Sequence, residues 1–260
     1  MYMEQVPSGI DGLDKILNGG LPLNRCVLIC GGPGSGKTIL CTQFLFYGAK
    51  QLNSAGLYVS LDEDVRQLRE EMKSFGWKIE ELEKKGKLAI VDASPIRHGW
   101  LGEAKLGDSW IGKRNFSIAS LIEVIKEKAN EIKAKRVVID PIIALMLQYP
   151  SVSERRTAIL DLIEFLSNLN ATSLITTELR SIALEREIRT EEFLAHGVVV
   201  LHSFVDNKEI CRGIQIEKMR GISHDNQVHP YKITENGIEV FAEEQSLVGF
   251  NKISVSQLER

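Results

Sequence analysis

The sequence lacks any apolar run of the roughly eighteen residues that a membrane-spanning helix needs. Its first residues, MYMEQVPSGIDGLD, have neither the basic nor the apolar region of a secretory leader, so a cytoplasmic location is expected. Cysteine is scarce: Cys26, Cys30, Cys41 and Cys211 lie in apolar segments without C-x-x-C spacing. Buried thiols are therefore expected, not a zinc site, a redox centre or a disulfide framework. Excess positive charge is also missing. A formal charge of −3 gives no chain-wide attraction for nucleic acid, although a local basic groove stays compatible with it. There is no internal repeat and no low-complexity tract.

What is present is a chain of 260 residues, 43% hydrophobic, enough to bury the core of one large domain. RCVLICG, AGLYVSL, KLAIVDA, RVVID and ATSLITTE read as short buried strands. Between them, KTILCTQFLFYGAK, DEDVRQLREEMKSFG, SIASLIEVIKEKANEIKAK and ERRTAILDLIEFLSNLN read as helices. Alternation of this kind predicts a mostly parallel α/β sheet covered by helices on both faces. After residue 196 the pattern changes to GVVVLHSF, EICRGIQIEKMRG, HPYKIT and GIEVF, strands joined by turns that predict an antiparallel extension. One domain over residues 1–242 and a weakly determined tail over 243–260 are expected. Two stretches stand out: 94–116 has no clear periodicity and is either a pore or partner loop or a mobile surface excursion, and 178–195, which mixes both charges, is either a short helix or a second mobile loop.

Gly31-x4-Gly36-Lys37-Thr38 satisfies G-x-x-x-x-G-K-[ST] between a predicted strand and a predicted helix, the setting of a phosphate-binding loop. Over Gly32, Pro33, Gly34, Ser35, Gly36, Lys37, Thr38 and Ile39, backbone amides and a helix N-terminus can surround phosphate oxygens. Lys37 can neutralise the β/γ-phosphates of ATP, which makes it a catalytic candidate, and Thr38 can ligate Mg²⁺. A chance glycine-rich turn is the plain alternative. Asp140 ends RVVID, before Pro141, and should emerge at the phosphate-loop edge of the sheet as a second metal residue; otherwise it caps a turn. In SLDED, Glu63 and then Asp62 are candidates to activate water. The competing reading is that Asp62, Glu63 and Asp64 only open a helix, where acids favour its dipole.

Taken in order, SGIDGLDKILNGGLP, GGPGSGKT, the DE after the second strand, VVID, TTE, EEFLAHGVVVL and KMRGISH followed by PYKIT resemble the KaiC-like branch of the RecA superfamily of ATPases. The likeness runs to about Phe241. It implies a RecA-like P-loop NTPase fold with a twisted sheet, and subunits in homo-oligomeric rings, usually hexamers, with ATP and Mg²⁺ at the interfaces. It also implies that Asp62 and Glu63 activate water. The K-x-R-G-x-S-H stretch matches Lys218, Arg220, Gly221, Ser223 and His224, implied to reach the nucleotide held by the next subunit. A cation supplied in trans would couple hydrolysis to assembly. Lys218 and Arg220 alternate on one strand and should project to one face. Without the resemblance they read as a solvated strand end.

The departures are specific. Some members carry two such domains in tandem, the second with a neighbouring serine and threonine that become phosphorylated. Here one such domain is expected, and Glu192 and Phe193 at the matching place argue against autokinase activity. Thr177 and Glu178 are candidates to sense the γ-phosphate. The expected function is a slow ATPase whose ring acts as a switch or scaffold for an unidentified protein partner. A recombinase-like single-stranded DNA-binding ATPase is the main alternative. It draws on Trp100, Trp110 and Phe116 beside Arg97, Lys113 and Arg114, but acids outnumber Arg180, Arg186 and Arg189 in the second loop. An ATP-binding regulator with little hydrolysis and a small-molecule phosphotransferase are the remaining alternatives, the latter lacking a visible substrate pocket.

Overall fold

The structure, a computed structural model, describes residues 3–93, 104–106, 109–111, 117–179, 190–206 and 209–244. The chain starts with β1 (Gln5–Val6), α1 (Asp11–Ile16) and β2 (Leu21–Pro22), β1 and β2 forming a small antiparallel pair. Then come β3 (Cys26–Gly31), α2 (Lys37–Gln51), β4 (Gly56–Ser60), α3 (Val65–Ser74), α4 (Ile79–Lys84) and β5 (Leu88–Asp92). A hairpin of β6 (Ala104–Leu106) and β7 (Ser109–Ile111) lies inside the first aperiodic stretch. The series α5 (Ile118–Ile132), β8 (Arg136–Asp140), α6 (Ile142–Met146), α7 (Val152–Asn168) and β9 (Thr172–Glu178) follows. The chain then passes through α8 (Thr190–Leu194), β10 (Gly197–Asp206), β11 (Glu209–Met219), β12 (Val228–Thr234) and β13 (Gly237–Val240).

Nine strands form one sheet in the order β13-β12-β11-β10-β3-β9-β8-β4-β5. From β10 to β5 every pairing is parallel; from β10 to β13 every pairing is antiparallel. The expected mixed sheet is the one found. Its central strands β3, β4 and β8 are buried along their whole length because helices cover both faces there. Leu57, Val59, Val137, Ile139 and Ile175 meet α5, α6 and α7, whereas Tyr58, Val138, Leu174 and Ile29 meet α2 and its neighbours. Side chains alternate because strand periodicity is two.

Local chemistry sets several ends. Ser151 opens α7 with a capping box: its Oγ accepts from the Glu154 amide at 3.1 Å, and Glu154 Oε2 accepts from the Ser151 amide at 3.1 Å. Asp64 caps α3, its carboxylate accepting from Arg66 N at 2.7 Å. Gly76, at φ +70°, follows the end of that helix as expected. Trp100, Arg97, Lys113, Arg114, Phe116, Arg180, Arg186, Arg189 and residues 245–260 lie outside the described residues, as does the side chain of Trp110.

One buried cation ties α2 to the sheet. Arg136, 1% exposed, stacks its guanidinium 4.3 Å over the Phe44 ring and donates from Nη1 to Phe44 O at 2.9 Å. Burial pulls its pKa down to about 10, against the opposing pull of Asp14 and Tyr47. The helix makes room with Gly48: a Cβ there would lie 2.4 Å from Arg136 Cδ and Nε. Gly48→Ala should therefore destabilise the fold by about 1–3 kcal/mol in urea denaturation, overpacking outweighing alanine's better helix propensity. Combining it with Arg136→Met should recover part of the loss.

Candidate nucleotide site

The phosphate loop leaves β3 at Gly31, in the interior of the sheet, and turns into α2 at Lys37. Gly34 and Gly36 have φ of +71° and +89°, a backbone that side chains with a Cβ rarely adopt. Around Gly32 and Gly34 a Cβ would meet nothing within 4 Å, so the loop forms an open cradle. Lys37 Nζ donates to Gly31 O at 2.9 Å and Gly32 O at 3.1 Å, which holds the ammonium at the mouth of that cradle. Burial lowers its pKa, while Asp140 and Glu178 pull it back up. Tyr231 on β12 donates to Ser35 O at 2.6 Å, and Ile233 and Ile238 form an apolar wall beside Gly36.

Strand order brings the acid to this loop. β8 runs parallel between β9 and β4, so Asp140 emerges at the carboxyl edge of the sheet, where ligands bind in such folds. Asp140, 6% exposed, accepts Thr38 Oγ1–H at 2.7 Å and Tyr58 O–H at 2.6 Å, both on Oδ2; Thr176 Oγ1–H donates to Oδ1. Burial, then the charge and hydrogen bond of Asp140, push the Tyr58 phenol well above its ordinary range. The Thr38 hydroxyl spends its proton on Asp140, which leaves oxygen lone pairs available to a cation. Among the described residues no group of three or more His, Cys, Asp or Glu can cage a metal alone. The donor set suits a hard cation that keeps waters and phosphate oxygens, as Mg²⁺ does.

Glu63 stands between β4 and α3, outside the helix that Asp64 caps. Ser60 Oγ donates to Glu63 O at 2.6 Å and fixes this turn at the end of β4. Asp64 thus takes the helix-opening role, and Asp62 and Glu63 precede the helix at the site edge. Glu63 is pushed up to about 7 by burial, then by Glu71, Asp140, a hydrogen bond with Glu71, and Asp62. A carboxyl with a proton affinity near neutrality suits general-base work. Thr177 and Glu178 lie level with Cys30 and Gly31, Thr177 buried and Glu178 exposed.

Lys218 and Arg220 occupy a different place. Lys218 Nζ donates to Glu192 O at 2.8 Å and Phe193 O at 3.0 Å, and Arg220 Nη2 donates to Phe193 O at 3.1 Å. They do project to one face, although Arg220 lies one residue past the end of β11. Burial and Arg220 lower the Lys218 pKa, against Glu192. His196 is also lowered by burial and then by Arg25, Arg220 and Lys218, so this edge gathers positive charge. His224 is not joined to the other two: its Nδ1 lies 3.2 Å from Asp225 O, in a turn whose Asp225 amide donates to Ile16 O at 2.9 Å.

A family profile described as "ATPase: KaiC" matches residues 6–245. The chain belongs to the KaiC family of ATPases. It is similar to a UPF0273 protein of Thermotoga maritima, 36% identical over 242 residues covering 93% of this chain and 98% of that one. It is also 36% identical to the circadian clock oscillator protein KaiC of a Picosynechococcus strain over 240 residues, 92% of this chain and 45% of that longer protein. Among solved structures, the KaiC-like protein PH0186 of Pyrococcus horikoshii matches with a TM-score of 0.77 and 36% identity, covering 92% of this chain and 99% of that one. No helix among the described residues is long and apolar enough to cross a membrane.

In this KaiC-family chain the loop and Asp140 lie together and Asp62 and Glu63 follow β4, at the places the motifs implied, whereas sequence reasoning did not single out their neighbours Tyr58, Thr176, Tyr231, Ile233, Ile238 and Glu71. Tyr58 offered one signal, a polar tip inside the apolar strand GLYVS. Glu71 offered none, since its partner lies eight residues away on the far side of a helix start. Between its ordinary 4.5 and about 7, Glu63 keeps in the fold a proton that the unfolded chain releases, so stability falls as pH rises through that window. Thermal denaturation should show Glu63→Gln gaining on the wild type at about pH 8 and not at about pH 5.

Proposed function

We propose that this chain, as one domain over residues 1–242, binds ATP with Mg²⁺ at the phosphate loop and hydrolyses it slowly. In this reading residues 32–39 hold the nucleotide, Lys37 stabilises phosphate charge, Thr38 and Asp140 hold the metal, and Glu63, backed by Asp62, orients and deprotonates water. Bound Mg²⁺ supplies neutralisation of charge on the β- and γ-phosphate oxygens. The carrying observation is the direct Thr38–Asp140 bond across an open glycine cradle, which is the residue pair a P-loop site uses for its cation.

The positions of Lys218 and Arg220 support a ring with the nucleotide at each interface, and six copies is the number that the family resemblance implies. Lys218 lies opposite Val198, which is level with Leu28, whereas the phosphate loop departs beyond Gly31. Those three strand residues span about 10 Å, directed away from the cations. Within one subunit the cations face away from their own loop, as a role toward a neighbour's nucleotide requires. His224 takes a lesser part in that role, given its separate anchorage. A ring whose geometry follows its nucleotide state would serve, in the cytoplasm, as a switch or scaffold for a protein partner.

Light scattering with Mg²⁺–ATP should give a ring mass that Lys218→Ala/Arg220→Ala abolishes, with phosphate release reduced about 10³-fold or more. Glu63→Gln should retain nucleotide and slow release by about 10²–10⁴-fold. A wild-type monomer without phosphate release would sink the ring ATPase reading; a ring that binds ATP but barely hydrolyses it would leave the regulator reading.

A further inference from the structure

We propose that Tyr58 is a positioning residue for the metal-binding carboxylate. Its phenol hydroxyl, with the hydroxyl of Thr176, clamps Asp140 in the rotamer that serves a cation. This deepens the nucleotide reading and rests on it.

The clamp is built into the sheet order. β4 and β9 are the two neighbours of β8, and each sends one hydroxyl to Asp140 from the face that α2 covers. Tyr58 is paired with Val138, two residues short of Asp140 on the same face, and the length of a phenol spans that offset. Thr176 is the residue after Ile175, which pairs with Ile139, so a short side chain reaches Asp140 from the same level. Thr38 at the start of α2 supplies the third donor.

These donors do different work. Thr38 is itself a cation ligand in the nucleotide reading, so its hydroxyl cannot hold the carboxylate independently of the metal. Tyr58 and Thr176, 2% and 0% exposed, have no such second task and sit where water does not replace them freely. A carboxylate has about four lone-pair sites. Two donors on Oδ2 and one on Oδ1 leave one lone-pair site on Oδ1 for a further partner. Outer partners that orient a ligand in this way typically change metal affinity by about 10–100-fold when removed.

The test titrates Mn²⁺, read as free ion by electron paramagnetic resonance, into full-length protein saturated with ADP. Tyr58→Phe, which keeps the ring and its packing, should weaken Mn²⁺ about tenfold while metal-free ADP affinity changes less than about twofold. Thr176→Val should weaken Mn²⁺ in the same way, and Thr176→Ser, which restores the hydroxyl, should recover it. Unchanged or tighter Mn²⁺ binding in Tyr58→Phe, in an assay where Asp140→Ala loses the ion, would overturn the positioning role alone. Failure of the wild type to bind ADP would overturn the nucleotide reading, and the proposal with it.

Discussion

The buried carboxylate of Asp140 is the constraint on which the arrangement of this chain turns. An anion taken out of water is costly unless donors and a nearby cation replace its hydration. Here the donors come from three other elements: Thr38 of α2, Tyr58 of β4 and Thr176 of β9. Lys37 supplies the nearby positive charge; burial lowers its pKa, and Asp140 opposes that shift. Strand order, the seating of α2 and the opening of the phosphate loop therefore meet on one side chain. A shift of any of the three elements would take one donor away from this buried carboxylate.

The same logic explains why α2 carries polar chemistry at both ends of a buried helix. At its start, glycines with positive φ turn the backbone into a cradle. Near its end, Gly48 lets Arg136 lie flat under Phe44. Between them Leu40, Cys41, Phe44 and Leu45 are fully buried and anchor the helix to the sheet. The site thus stands on a rigid support, and the acids beside it, Glu63 and Glu71, are brought close enough to share a proton.

Charge is polarised along the parallel strands. Acids and Lys37 gather at the carboxyl edge, while Arg25, Lys218 and Arg220 gather at the other, around His196. Lys218 and Arg220 are held there by the carbonyls of Glu192 and Phe193.

Much of this was legible before any coordinates. The alternation of apolar runs and 3.6-residue periodicities carries the parallel sheet, because strands covered on both faces must be apolar throughout. The phosphate loop was legible because its glycines and Lys37 meet a backbone requirement local to eight residues, and Asp140 because it ends an apolar strand. Short elements such as α1, α4, α6, α8 and the β6–β7 hairpin carried too few residues for a period. The partners of Asp140 were decided by strand order, which sets which hydroxyls from distant strands converge. The proton affinity of Glu63 was decided by burial and by Glu71, and the separation of Lys218 from the chain's own loop by antiparallel register. Local backbone chemistry is written residue by residue; convergence across strands exists only once the sheet has formed.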